Sequence, residues 1–404
     1  AYIGTYGVAP GTRGGGIYAL SVSDDGRTLH SLHHAAEPKD AGYLVYAPET
    51  STLYAVDERK TDGRGPVDKP AAVHALNVDG ETGALQWRHC QIAPGPRPTY
   101  LDYSARHRLL ISSNHGDFQH VEKVVRMADG QWGTEYIYDD STIIVFPLDD
   151  DGGIGQPSDV HVFSGHGQDP NFSKQNGGHA QSSPHAHCAV IDPTGQYVLV
   201  CDKGTDRIET FRIGATLQAA STLQCPAETG PRHLAFCPQT GLAFATLEFA
   251  SDIASFAFDA QTGGLTQLDR VSTLGQPCAR GNEPAEVRVH PAGRFVYVNN
   301  RGEDTLAWFG FDGAGRLTRL GAVPLAPSIH PGLAARSFTF DPTGAFLLVA
   351  DRPAHLVRSF AVNAQTGALT YLAAAAVPDP AFIAFVDLDA PLAGGQAAGQ
   401  VGGQ

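Results

Sequence analysis

The chain has 404 residues, 42% of them hydrophobic, and its 28 Lys and Arg against 42 Asp and Glu give a formal net charge of −14. That length supports a substantial core, the acidic balance argues against nucleic acid as a partner, and no run is long and apolar enough to suggest a membrane span. Gly 46 and Pro 27, punctuating many short β-rich runs, point to an all-β protein.

In chain order, three strand-like runs come first: Tyr2-Ile3-Gly4-Thr5-Tyr6, Gly16-Ile17-Tyr18-Ala19-Leu20 and Leu29-His30-Ser31-Leu32. Six hairpin units follow, at 43–58, 100–115, 185–204, 232–248, 286–302 and 336–352, the second only loosely matching the rest. The clearest is Pro184-His185-Ala186-His187-Cys188-Ala189-Val190-Ile191, the turn Asp192-Pro193-Thr194-Gly195, and a second apolar run ending in Asp202-Lys203-Gly204. Pro presets one turn dihedral and Gly accepts the positive φ that closes the hairpin. Turn prolines 193, 238, 291 and 342 recur at roughly 50-residue intervals, and further strand-like segments follow each hairpin, which is the period of a β-propeller. Ala381-Phe382-Ile383-Ala384-Phe385-Val386 supplies only the first strand of a blade. With the three N-terminal runs it completes a seventh, closing the ring and removing exposed sheet edges. The predicted architecture is therefore all-β: one seven-bladed propeller over residues 1–390, then a flexible Gly/Ala/Gln tail at 391–404. The interval from Pro48 to Pro193 is too long for two periods, and the excess falls at about 117–140 and 164–183, as a lid, a substrate-selecting wall, a surface decoration or an oligomer contact.

A hairpin brings its open ends to one side, and here the polar residues gather at those ends while the turns carry mostly Pro, Thr, Gly and Ala. His185, His187, Arg232, His233, Glu286 and Arg336 start first strands; Asn114, His115, Asp202, Lys203, Glu248, Arg301 and Arg352 end second strands or follow them. Converging at one mouth of a central channel, imidazoles, guanidiniums and one or two carboxylates suit acid–base chemistry on an anionic substrate. His185 and His187, at i and i+2, are expected on one side of a strand. They could ligate zinc, but no third ligand stands at close spacing, so no metal site is assigned. Glu248, inside an apolar run, is expected to have a raised pKa and could serve as general base; a buried ion pair with Arg232 or Arg301 is the structural alternative, compatible with that role. Arg301 could fork onto a carboxylate or phosphate, or bridge two blades. Glu58 and Glu286 read first as structural carboxylates, with Glu286 kept among the substrate-facing candidates. The six Cys show no metal or redox spacing and are expected as buried thiols.

Pro184-His185-Ala186-His187, Gly230-Pro231-Arg232-His233, Glu248, Asn300-Arg301-Gly302 and the opening Tyr2-Ile3-Gly4-Thr5-Tyr6 resemble the seven-bladed lactonase family, which includes propeller-type 6-phosphogluconolactonases and the fungal carboxy-cis,cis-muconate cyclising enzyme. The resemblance implies a cofactor-free site at the central channel with His187, Arg232, Glu248 and Arg301 as catalytic residues. Around them, His185, His233, Asn114, His115, Lys203, Glu286, Arg336 and Arg352 are the expected substrate-binding groups. Asp202-Lys203-Gly204, Ser113-Asn114-His115 and Asp351-Arg352 depart from the family's usual pattern, which leaves the particular lactone open. The expected reaction is water attack on a sugar-derived lactone, phosphorylated or not. A cycloisomerase or lyase on a muconate-type dicarboxylate and a non-catalytic carbohydrate-binding propeller are the alternatives. A monomer or homo-oligomer is expected, cytoplasmic, or periplasmic if a leader was removed before Ala1.

Overall fold

In the computed structural model, which describes residues 1–9, 11–60, 70–171, 180–279, 281–329 and 332–388, seven four-stranded antiparallel sheets form the blades of a propeller. The innermost strands are Leu44–Ala47, Pro98–Ser104, Ala186–Ile191, Pro231–Phe236, Glu283–Val289, Ser337–Phe340 and Pro380–Ala384. Each touches the next, and the last touches the first, so the ring is closed. Closure comes from the two ends of the chain: Tyr2–Thr5 pairs with Pro380–Ala384, with Tyr2 opposite Ala384 and Ile3 opposite Ile383.

The sequence pattern follows from burial. Second strands such as Thr52–Asp57, Tyr197–Asp202, Leu242–Leu247 and Phe346–Asp351 are buried along their whole length because neighbouring blades cover both faces. They therefore read as continuous apolar runs rather than alternating ones. Outer strands such as Leu29–Ala35 and Gln218–Gln224 lie mostly in solvent and are correspondingly polar. The Asp-Pro-Thr-Gly turn is a side-chain cage: the Asp192 carboxylate accepts from the backbone N–H of Thr194, Gln196 and Tyr197 at 2.7–2.9 Å. Asp341 repeats this with Thr343 and Phe346.

Of the extra length, His120–Arg126 and Trp132–Tyr138 form a separate two-stranded hairpin between the second and third strands of the second blade. Part of the second insertion, at 172–179, and the 391–404 tail fall outside the described residues. No described helix is long and apolar enough to cross a membrane. Cys188, Cys201, Cys225 and Cys237 are buried as expected, whereas Cys90 is exposed and Cys278 half-buried.

The innermost strands of four successive blades carry a β-bulge near their open ends. Register shifts fall between Pro98 and Tyr100, Ala186 and Cys188, Pro231 and Leu234, and Pro284 and Val287. A bulge leaves one residue without a ladder partner and re-aims its side chain. The residues so released are Thr99, His187, the pair Arg232 and His233, and the pair Ala285 and Glu286. The freed N–H groups are met by polar residues opposite: His233 N–H donates to Thr246 Oγ1 and Glu286 N–H to Asn299 Oδ1. Those residues also bind the next blade, Thr246 Oγ1 donating to the Ala285 carbonyl and Asn299 Nδ2 to the Ala335 carbonyl.

Candidate active site

At the open-end mouth of the channel lies a cleft of about 790 Å³ whose wall includes His115, His187, Lys203, Arg232, Glu248, Arg301 and Arg336. That volume is in the range that holds a sugar-sized ligand. The chain is acidic overall, yet its cleft gathers cations from several blades. Glu248 is the hub. Its Oε1 accepts from Lys203 Nζ at 2.7 Å, and its Oε2 lies 2.7 Å from Arg232 Nε and 2.9 Å from Arg301 Nη2. Arg301 Nη2 also meets Glu283 at 3.0 Å.

This corrects the expected chemistry of Glu248. Burial does act to raise its pKa, but Lys203, Arg301 and Arg232 together overcome it and hold the carboxyl at about 2. Both of its oxygens are already engaged by these cations. The alternative reading, a buried partner of Arg232 and Arg301, is the observed one, with Lys203 as a third partner. Arg232 remains cationic at neutral pH although burial, then Arg301, lower its pKa to about 9. It is 1% exposed, and its Nη1 has no hydrogen-bond partner among the described residues.

The histidines are neutral. Burial, reinforced by Arg232, His233 and Lys203, holds His187 well below the usual imidazole pKa. Burial likewise lowers His115, with Lys203 and His185 adding to it. His187 Nδ1 lies 3.1 Å from His233 Nε2, which leaves Nε2 as its other ring nitrogen. Among the described residues no group of three or more His, Cys, Asp and Glu is arranged to hold a metal ion.

Several expected substrate-facing groups stand away from the cleft wall. His185 lies behind it, stacked on His115 with ring centroids 4.6 Å apart, its Nδ1 3.0 Å from the His115 carbonyl. The bulge at His187 parts the two residues that simple alternation would have placed together. Asn114 is wholly buried, donating to the Ala93 and Gly95 carbonyls and so tying down the approach to its blade. Arg352 faces Asp379 and lies 4.5 Å over the Tyr6 ring. His233 and Glu286 sit deeper in the channel. Arg336 does reach the cleft, donating to Tyr6 Oη, which in turn donates to Glu58.

Sequence reading passed over Arg97, Phe118, Phe249 and Glu283, all in the cleft wall. Phe118 and Phe249 lie 5.3 and 5.7 Å from Lys203 Nζ. Glu283 has its pKa raised, by burial first, and so differs from Glu248. Glu283 carries a usable signal: it precedes Pro284 at a strand entry, as Gly230 precedes Pro231 ahead of Arg232. Phe118 lies in an insertion with no counterpart in other blades, and nothing in the repeat marks it.

The family model described as a seven-bladed β-propeller lactonase matches residues 1–385. The chain belongs to this family. It is 26% identical over 391 residues to a 6-phosphogluconolactonase of Bacillus subtilis, across 95% of this chain and 97% of that one. It is 24% identical over 372 residues to a 6-phosphogluconolactonase of Formosa agariphila, across 90% and 92%. Among solved structures, the periplasmic gluconolactonase PpgL of Pseudomonas aeruginosa matches with a TM-score of 0.79 and 26% identity, covering 96% of this chain and 98% of that one. The reaction that goes with membership of the lactonase family is lactone hydrolysis, and the cleft described above is the candidate place for it.

Proposed function

We propose that this lactonase opens a sugar-derived δ-lactone, with His187 as general base and Arg232 as the oxyanion donor. The observation that carries this reading is the Arg232 guanidinium, which is buried in the cleft wall and whose Nη1 has no hydrogen-bond partner among the described residues. A buried donor left unmade costs free energy, and a ligand oxygen recovers it. His187 Nε2 takes a proton from water as the water oxygen bonds to the lactone carbonyl carbon. The carbonyl oxygen becomes an oxyanion against Arg232 Nη1. The bond from that carbon to the ring oxygen then breaks, and His187 returns the proton to the departing alkoxide. The open-chain acid ionises to solvent.

Glu248 does no proton transfer in this scheme. It fixes the positions of Lys203, Arg232 and Arg301, as a carboxylate with three close cationic partners does. Glu248 and Glu283 offset two of the three charges on Lys203, Arg232 and Arg301, and the third is committed to the oxyanion at Arg232, so this reading favours an uncharged aldonolactone over its phosphorylated counterpart. The test is proton release from glucono-δ-lactone, 6-phosphoglucono-δ-lactone and muconolactone, corrected for spontaneous opening. The reading expects kcat/KM highest on the first. A preference for the phosphorylated lactone overturns the charge argument, and turnover confined to muconolactone overturns the reaction.

A further inference from the structure

The proposed reaction needs a lone pair on one chosen nitrogen of His187, and the two following blades select it. His187 Nδ1 is 3.1 Å from His233 Nε2, and His233 Nδ1 is 3.4 Å from Glu286 Oε1. His187, His233 and Glu286 are 4%, 5% and 3% exposed, and they stand on the innermost strands of three consecutive blades, each at a bulge. An ionised carboxylate only accepts, so His233 Nδ1 must carry the hydrogen. A neutral imidazole carries one, so His233 Nε2 accepts, and His187 Nδ1 must donate to it. The lone pair of His187 is then on Nε2.

We infer that Glu286, acting through His233, fixes the tautomer of His187 and is a positioning residue for hydrolysis; this rests on His187 being the base. The surrounding charges keep the chain in that state. Arg288 Nη2 lies 3.8 Å from Glu286 Oε2, and with His233 and Arg232 it favours the carboxylate against burial, while the neighbouring Tyr43 and Tyr100 stay uncharged phenols, their pKa raised first by burial. Around the imidazoles stand Arg232, Arg336, Lys203 and His115, all of which oppose a second proton. When His187 takes the proton from water, Glu286 is the negative charge at the far end of the chain that steadies the imidazolium, as in a carboxylate–histidine pair.

Glu286 also lines a separate cavity of about 370 Å³ at the turn end of the channel, beside Tyr100 and Arg288. A small carboxylate added to solution can therefore reach the place that truncation empties. Nitrogen-15 NMR of histidine-labelled wild-type enzyme should place the ring hydrogen of both His187 and His233 on Nδ1; a hydrogen on Nε2 of His187 overturns the inference. Glu286→Ala should lower kcat about 10- to 100-fold, a usual cost of removing a residue that orients a reacting one. KM should stay within about three-fold, since the loss falls on the transition state. Formate should restore part of kcat. An unchanged kcat in Glu286→Ala, or a lowered kcat while that variant keeps the wild-type tautomers, overturns it. Full turnover in His187→Gln sinks the base assignment instead, and the NMR result stands apart from that outcome.

Discussion

At the scale of single residues, Glu248 decides what the cleft can do. Taking its charge away leaves Lys203, Arg232 and Arg301 buried without their shared counter-ion, which for a broken buried ion pair costs about 3–5 kcal/mol. Glu248→Gln should therefore lower the thermal midpoint by several degrees as well as slow turnover; an unchanged midpoint with slow turnover would return Glu248 to the role of base. The buried histidines set the acid limit. His233 and His185 are pushed by burial to about 4 and about 3, and His115 and His187 also lie well below their ordinary value. The folded state keeps these rings neutral while the unfolded chain protonates them below pH 6.5, so their contribution is present above 6.5 and is lost as pH falls toward the folded values. Each contributes a slope of about 1.4 kcal/mol per pH unit in that window. Asp102 and Asp202, raised by burial to about 6, act in the opposite sense below that pH. Glu248, held low, withdraws its contribution only between about 4.5 and 2. Urea midpoints should fall between pH 7 and pH 6, above the range where Asp102 and Asp202 oppose the fall; a flat profile there would mean that the rings are not neutral in the folded state. Glu248 shows why residue-level reading stopped short. Its burial was legible in the apolar run Phe244-Ala245-Thr246-Leu247-Glu248-Phe249, but the cations that set its pKa come from other blades, and local sequence does not show them.

At the scale of elements, the hairpin with its polar open end and Pro-Gly turn end was legible, because turn chemistry and apolar runs are local. The bulges were not, since a one-residue slip leaves composition unchanged. That is why His185 and His187 were expected side by side and instead meet the His115 ring differently, His185 stacked at 4.6 Å and His187 edge-on at 5.3 Å. The bulges also make a prediction. Asn299→Leu leaves the Glu286 N–H and the Ala335 carbonyl without their present partner, so it should destabilise by about 1–3 kcal/mol; stability within error of wild type would mean that the bulge holds without its side-chain partner. Blade packing has its own recurrent device, a buried tyrosine donating into the outer hairpin of the next blade. Tyr2 reaches the Gly83 carbonyl, Tyr54 Gly152, Tyr197 Gln261 and Tyr297 Gly367. Gly263 sits under Tyr197 with φ +75, and a Cβ there would lie 2.9 Å from the ring. Gly263→Ala should therefore destabilise by about 1–3 kcal/mol, read from chemical unfolding; a neutral result would mean that the ring can move aside.

At the scale of the whole molecule, the ring was legible because the count of units and the split seventh blade can both be read from periodicity. Closure by the pairing of Tyr2–Thr5 with Pro380–Ala384 means that loss of either strand opens a sheet edge on a fold that otherwise has none at its centre. The ring also explains how an acidic chain offers a cation-rich cleft: second-strand ends from several blades meet at one mouth, and the rest of the surface keeps the excess of carboxylates. Hydrolysis at that mouth depends on the neutral His187 imidazole. The direct measurement is kcat on glucono-δ-lactone at pH 7 for the wild type and for His187→Gln, with folding of both verified by their thermal transitions. Loss of a general base predicts a fall of about 10²- to 10⁴-fold in kcat, whereas turnover within a factor of about two of the wild type would contradict it, since that lies far below what such a group contributes.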